Sequence, residues 1–112
     1  MYTSIPRRGF LGMFAAQALL PAKTWEGIIV IMQTPFHDNL ELDEESLRKE
    51  TDFLIRSRVH GVVWPAGAGE SVSLSHSERI RYSESVVKEA RGRTTVLIGV
   101  HGANKFEAME YA

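Results

Sequence analysis

The chain has 112 residues, of which 44% are hydrophobic and 24% are charged, a composition typical of one globular domain and too apolar for a disordered chain. Its formal net charge of −1 provides no broad positive surface, so we expect no nucleic-acid partner and no electrostatic attraction to anionic lipid. The absence of cysteine excludes disulfides, thiolate metal sites and a cysteine nucleophile.

Residues 1–24 have the order of an export signal. The pair Arg7-Arg8 precedes the apolar run Phe10–Leu20, which is shorter than the roughly 20 residues of a membrane-spanning helix. Because Phe-Leu follows the arginine pair closely, the segment resembles a twin-arginine signal, and we predict export to the periplasm. The segment Leu20-Pro21-Ala22 is a poor cleavage site, so an N-terminal helix docked on a cytoplasmic domain is the alternative.

Three short apolar runs follow at a regular interval. They are Ile28–Met32, Val62–Trp64 and Val96–Ile98. Their first residues, 28, 62 and 96, are 34 positions apart, and the runs do not alternate with polar residues. Unbroken apolar runs are typical of parallel strands that are covered on both faces and joined by helices. The sequence therefore predicts an α/β fold with parallel strands near residues 27–33, 61–65 and 95–100.

The stretches between and after these runs carry helix signals. Asp43 is the predicted N-cap of a first helix, and Ser75 and Glu78 form a capping box for a second. The inward faces are predicted from helical spacing as Leu47, Thr51, Leu54, Tyr82, Val86 and Ala90. A third helix begins after Asn104 and is only about two turns long at Ala112. Since three parallel strands also leave an unpaired edge, we expect this sequence to be a fragment of a larger fold.

In parallel α/β folds, ligands bind beyond the carboxyl ends of the strands, where the strand-to-helix loops converge. The glycine-rich loop after the second run is the strongest candidate here. The loop is Pro65-Ala66-Gly67-Ala68-Gly69-Glu70-Ser71, and its backbone N–H groups can surround a carboxylate or a phosphate. The alternative is a tight turn in which Gly67 and Gly69 only provide positive φ angles.

Three loop motifs occur in the order Thr34-Pro35-Phe36, Gly69-Glu70-Ser71 and Gly102-Ala103-Asn104. In this order and spacing the sequence resembles the opening of the dihydrodipicolinate synthase and N-acetylneuraminate lyase family of class I, Schiff-base aldolases. The resemblance runs from about Gly27 to the end of the chain. It implies that residues 25–112 are the N-terminal part of a (β/α)8 TIM barrel, namely its first three βα units.

The resemblance also implies a chemistry. Family members form a Schiff base between a barrel lysine and the keto group of a pyruvate-like 2-keto acid, without a cofactor or a metal. The loop from Gly67 to Glu70 would hold the substrate carboxylate. The Schiff-base lysine, on the sixth strand, and the relay tyrosine would lie beyond Ala112. We therefore expect no catalytic residue and no activity in this chain alone, and a homo-oligomer for the full-length form.

The loop departs from the family pattern at three positions, two of which carry a hydroxyl in the family. The family usually has Gly-Thr-Thr-Gly-Glu or Gly-Ser-Thr-Gly-Glu, whereas this chain has Ala66-Gly67-Ala68-Gly69-Glu70. In the family one of these hydroxyls belongs to a proton relay and the other contacts the substrate carboxylate. Gly67 and Ala68 retain only backbone N–H groups, so the resemblance leaves the substrate open.

Two other functions and two residue roles remain open at this stage. His37, His101 and Glu70 follow strands and are a plausible ligand set for a metal-dependent barrel hydrolase. A noncatalytic, flavodoxin-like ligand-binding module is the second alternative. For Glu70 itself we favour anchoring of the loop through accepted hydrogen bonds over acid–base catalysis. Trp64, at the end of the second strand, either lines a pocket or seals the barrel rim, and we favour the pocket.

Overall fold

The computed structural model describes residues 25–112, in which strands and helices alternate. The elements are β1 (Ile29–Ile31), α1 (Glu44–Arg56), β2 (Gly61–Trp64), α2 (His76–Ala90), β3 (Thr95–Ile98) and α3 (Lys105–Tyr111). The predicted export signal lies outside the described residues. None of the helices in residues 25–112 combines the length and the apolarity needed to cross a bilayer.

The sheet is parallel and has the order β1-β2-β3. Its strands lie within the three predicted ranges but are shorter than predicted. At the end of β1 the pairing continues by one hydrogen bond, because Met32 N–H donates to the Val63 carbonyl at 3.1 Å. All three predicted strands are thus present, in the predicted order and direction.

The register of the sheet gives its two faces different neighbours. Val30, Val62 and Val96 lie side by side across the strands. Val62 and Trp64 belong to the core that also contains Leu47 of α1 and Val86 of α2. Successive side chains of a strand point to opposite faces of the sheet. The strand residues that alternate with Val30, Val62 and Trp64 therefore face away from the helices. Ile29 and Ile31 on that second face are 40% and 49% exposed.

Helices α1 and α2 contact each other and pack on one face of the sheet, as a barrel requires. Asp43 caps α1 by accepting the Ser46 N–H at 3.0 Å, and the hydrogen bonds from Ser46 hold the pKa of Asp43 below its usual range. The predicted capping box of α2 is present. Leu47, Thr51, Val86 and Ala90 are buried, which confirms most of the predicted inward faces.

Three ion pairs join α1 to α2 and to the residues that follow α2. They are Glu44–Arg81 at 3.3 Å, Arg48–Glu89 at 3.0 Å and Asp52–Arg93 at 3.0 Å. On α1 the charges are spaced by one helical turn and alternate in sign, and each one faces a charge of opposite sign. We name this set the charge stripe.

The carboxyl ends of β2 and β3 approach so closely that a side chain cannot fit between them. A Cβ atom on Gly99 would lie 1.8 Å from the Pro65 carbonyl oxygen. Gly67 is different, because a Cβ atom there would meet no atom within 4 Å. Backbone packing therefore requires glycine at position 99 but not at position 67.

We therefore expect Gly99→Ala to lower the free energy of unfolding by about 3 kcal/mol or more, because the backbone must move to relieve the overlap. Gly67→Ala is the matched control and should change the same quantity by less than about 0.5 kcal/mol. Urea unfolding followed by far-UV circular dichroism measures both changes. Equal stability of the two variants would contradict the proposed close approach.

Glu50 of α1 is partly buried and holds the backbone at the end of β1. Its carboxylate accepts the Gln33 N–H at 3.0 Å. Burial raises the pKa of Glu50, and the hydrogen bond from Gln33 opposes that rise. Because the folded state holds the Glu50 proton more tightly than the unfolded state, this group stabilises the fold at low pH. That stabilisation is lost as the pH rises through the raised pKa.

Glu50→Gln keeps an acceptor for Gln33 and removes the buried charge. We expect the variant to be more stable than the parent chain at about pH 7 and to differ little from it at about pH 4. Thermal unfolding at the two pH values measures the difference. Glu84→Gln, on the exposed side of α2, serves as the control. A stability gain that is as large at the lower pH as at the higher one would argue against this account.

Candidate functional site

The candidate loop after β2 folds into two consecutive 3-10 turns, Gly67–Gly69 and Ser71–Ser73. Glu70 lies between them with φ +56°, and Gly67 and Gly69 are not among the residues with positive φ. The alternative that the two glycines supply positive φ is therefore wrong. Gly69 is needed for space, since a Cβ atom there would lie 2.6 Å from the Met32 carbonyl oxygen.

The hydrogen bonds of the first turn leave two donors unused. The Ala66 carbonyl accepts the Gly69 N–H at 3.0 Å and the Ser71 N–H at 3.3 Å. The N–H groups of Gly67 and Ala68 donate to no acceptor within residues 25–112, and both residues are exposed. The turn thus has two adjacent backbone donors that are available to a ligand. We call the turn with these two donors the cradle.

Glu70 shapes the loop through its backbone and not through its side chain. Its N–H donates to the Gly67 carbonyl at 3.1 Å, and its left-handed conformation connects the two turns. The Glu70 carboxylate is exposed and accepts no hydrogen bond from another residue in the described part of the chain. The anchoring role predicted for this carboxylate is therefore not observed.

A buried hydroxyl connects the cradle to the first strand. Thr34 Oγ1 donates to the Gly69 carbonyl and accepts a hydrogen bond from Trp64 Nε1 at 3.1 Å. Thr34 is 8% exposed and Trp64 is fully buried, so water does not compete for either bond. Gly69 is thereby held against the end of β1.

The prediction that Trp64 lines a pocket is wrong. Trp64 is two residues after Val62 on the same strand, so both side chains point toward the helices. Both are buried in the core with Met32 and Leu47. The indole is a core group that also supplies one hydrogen-bond donor to Thr34.

Arg79 of α2 was not identified from the sequence, although it is 5% exposed. Its guanidinium donates to the Gly99 carbonyl at 3.1 Å and to the His101 carbonyl at 2.8 Å, and it lies 3.7 Å from the centre of the Tyr111 ring. Arg79 thus fixes the loop after β3 against α2. Helical spacing could have predicted its burial, because position 79 lies on the same face of α2 as the buried positions 86 and 90.

His101 faces the cradle from the third loop. Its Nε2 shares a hydrogen bond with the hydroxyl of Ser71, which is 1% exposed. His37 has a different neighbour, because its Nδ1 lies 3.8 Å from a carboxylate oxygen of Asp43. Within residues 25–112 no three histidine, aspartate or glutamate side chains lie close enough to share a metal ion. His37, Glu70 and His101 therefore do not form the ligand set that the metal-hydrolase alternative requires.

The lysines in the described part of the chain have the environment of surface groups. Lys49 lies 2.6 Å from Glu45, and that hydrogen bond raises the pKa of Lys49. Lys88 lies 3.5 Å from Glu84 and is similarly exposed. Lys105, at the start of α3, is exposed as well. A Schiff-base lysine needs a lowered pKa, so Lys49, whose pKa is raised, is not suited to that role.

We expect Thr34→Val to lower the free energy of unfolding by about 1–3 kcal/mol, because the Trp64 indole N–H and the Gly69 carbonyl then lose a buried partner. The indole proton of Trp64 should also exchange faster with solvent. Thr94→Val is the control, since the Thr94 hydroxyl makes a long 3.4 Å bond to the Val59 carbonyl at a partly exposed position. Urea unfolding and NMR hydrogen exchange measure the two effects. Equal losses in the two variants would refute the role of Thr34.

Comparison with known proteins places these features in a family. The sequence model of the dihydrodipicolinate synthetase family matches residues 24–112. The chain is 45% identical over 87 residues to 4-hydroxy-tetrahydrodipicolinate synthase of Methanopyrus kandleri, a match that covers 76% of this chain and 29% of that protein.

Solved structures give the same result. Dihydrodipicolinate synthase from Aquifex aeolicus matches with a TM-score of 0.74 and 31% identity, over 78% of this chain and 29% of that one. N-acetylneuraminate lyase from Mycoplasma synoviae matches with a TM-score of 0.70 and 25% identity, over 75% and 29% of the two chains. The chain spans about three-tenths of the length of these relatives, and its fold is the predicted partial TIM barrel. It belongs to the dihydrodipicolinate synthetase family.

Proposed function

We propose that this chain is the N-terminal part of a lyase or aldolase that acts on a pyruvate-like 2-keto acid through a Schiff base. The observation that carries the proposal is the cradle, in which the N–H groups of Gly67 and Ala68 have no acceptor within residues 25–112 and belong to exposed residues that follow the carboxyl end of β2. Backbone donors in such a turn suit a small anion. Its position is where barrel enzymes bind their substrates.

The cradle is proposed to bind the substrate carboxylate through Gly67 and Ala68, while Gly69 and Glu70 give the turn its shape. Two backbone N–H groups can each donate one hydrogen bond to the carboxylate, and charge assistance strengthens both bonds. Neither Gly67 nor Ala68 provides a side-chain hydroxyl. Further donors, and with them the choice among 2-keto acids, must therefore come from other loops of the barrel.

Schiff-base chemistry places a second requirement on the complete enzyme. A neutral amine must attack the keto carbon, so burial or a neighbouring charge must lower the pKa of the reacting lysine. Lys49 and Lys88 are exposed and paired with carboxylates. We propose that the lysine lies on the sixth strand, beyond Ala112, together with the relay tyrosine, in a homo-oligomeric protein that needs no cofactor.

We also propose that residues 1–24 direct export. The support for that proposal is the sequence itself, in which the arginine pair and the apolar run after it have the twin-arginine order.

Borohydride trapping tests the proposed function. Incubation with pyruvate and borohydride should leave the 112-residue chain unlabelled, whereas a protein extended past the sixth strand should gain the mass of one reduced adduct on one lysine. Intact mass and peptide mapping identify the product. Stoichiometric labelling of a lysine in the short chain, or no labelling in the long one, would contradict the proposal.

A second measurement tests the cradle alone. Titration of the 15N-labelled chain with pyruvate should shift the amide signals of Gly67 and Ala68, and pyruvamide, which has no carboxylate, should shift them less. Equal responses to the two ligands would contradict carboxylate binding.

A further inference from the structure

The cradle is held from two sides by neighbouring loops. On the β1 side, Thr34 hydrogen-bonds to the Gly69 carbonyl. On the β3 side, His101 Nε2 hydrogen-bonds to Ser71 Oγ. The second contact joins residues 30 positions apart in the sequence. It connects the loop after β3 to the residue that closes the first turn, and it plays no part in the function proposed above.

Ser71 transmits this contact to the cradle. Its N–H donates to the Ala66 carbonyl at 3.3 Å, the same oxygen that accepts the Gly69 N–H at 3.0 Å. Its hydroxyl is buried with the rest of the side chain, so solvent offers little alternative to the imidazole. A displacement of Ser71 would therefore disturb the carbonyl that closes the turn.

His101 makes the contact from a fixed backbone. The buried Arg79 guanidinium donates to the carbonyls of Gly99 and His101, which holds the loop after β3 on both sides of Val100. The His101 side chain is itself exposed. It contributes little to the core, and its one hydrogen bond among the described residues goes to Ser71.

We propose that His101 is a positioning residue, which keeps the cradle in the conformation that frees the N–H groups of Gly67 and Ala68. It acts through the Ser71 hydroxyl and does not touch the bound carboxylate. That the cradle binds a carboxylate rests on the proposed function. That His101 holds the cradle in place does not depend on it. The ring nitrogen that matters is Nε2, which is the distal nitrogen of the side chain.

The position of Nε2 allows a matched pair of variants. In His101→Gln the amide group lies about as far from the backbone as Nε2 and can still reach Ser71. In His101→Asn the same chemical group is one methylene closer to the backbone and cannot reach it. Both variants change an exposed residue, so both should fold, and far-UV circular dichroism checks that they do.

Amide hydrogen exchange of the 15N-labelled 112-residue chain measures the positioning. We expect His101→Asn to increase the exchange rates of the Gly69 and Ser71 amides by about tenfold or more relative to the parent chain, and His101→Gln to change them by less than about threefold. Ser71→Ala should reproduce the effect of the Asn variant. The double variant Ser71→Ala, His101→Asn should add nothing further, because both changes remove the same hydrogen bond.

Pyruvate titration of the same samples separates the two proposals. If the parent chain responds at Gly67 and Ala68 and the Asn variant responds at least fivefold more weakly, positioning of the ligand site is supported. If exchange increases in the Asn variant but no chain responds to pyruvate, the positioning stands and carboxylate binding fails. Unchanged exchange in the Asn variant, or equal increases in the Asn and Gln variants, would overturn the role of His101.

Discussion

The hydroxyl of Thr34 lies just after β1, between the core and the cradle, and it hydrogen-bonds to a residue of each. It accepts the Trp64 indole N–H and donates to the Gly69 carbonyl. A hydroxyl can do both at once, which a carbonyl or an ammonium group cannot. Because all of these groups are buried, the distance between the first strand and the candidate site is determined by bonds that water cannot replace. The free donors of Gly67 and Ala68 have a defined position for this reason.

Local features of this fold could be predicted from the sequence. The strands, the caps at Asp43 and Ser75, and the start of α3 after Asn104 depend on residues within a few positions of one another. The candidate loop was also found, because glycines that follow a parallel strand mark the ligand-binding edge.

Features that depend on distant parts of the chain could not be predicted. The side on which Trp64 is buried depends on the phase of β2 against two helices, and a one-residue change of phase reverses it. The pairing of Ser71 with His101 depends on how two loops meet. The positive φ of Glu70 was missed because glycine is the usual residue in that conformation, and two glycines stand nearby.

The charge stripe has a consequence for how the two helices choose their alignment. Each of its pairs is at least partly exposed and contributes little stability by itself. Their order matters more, since sliding α2 along α1 by one turn would bring like charges together, for example Glu89 beside Asp52. Apolar side chains tolerate such a slip more easily than charges do. The stripe therefore favours the observed alignment of the two helices over one that is displaced by a turn.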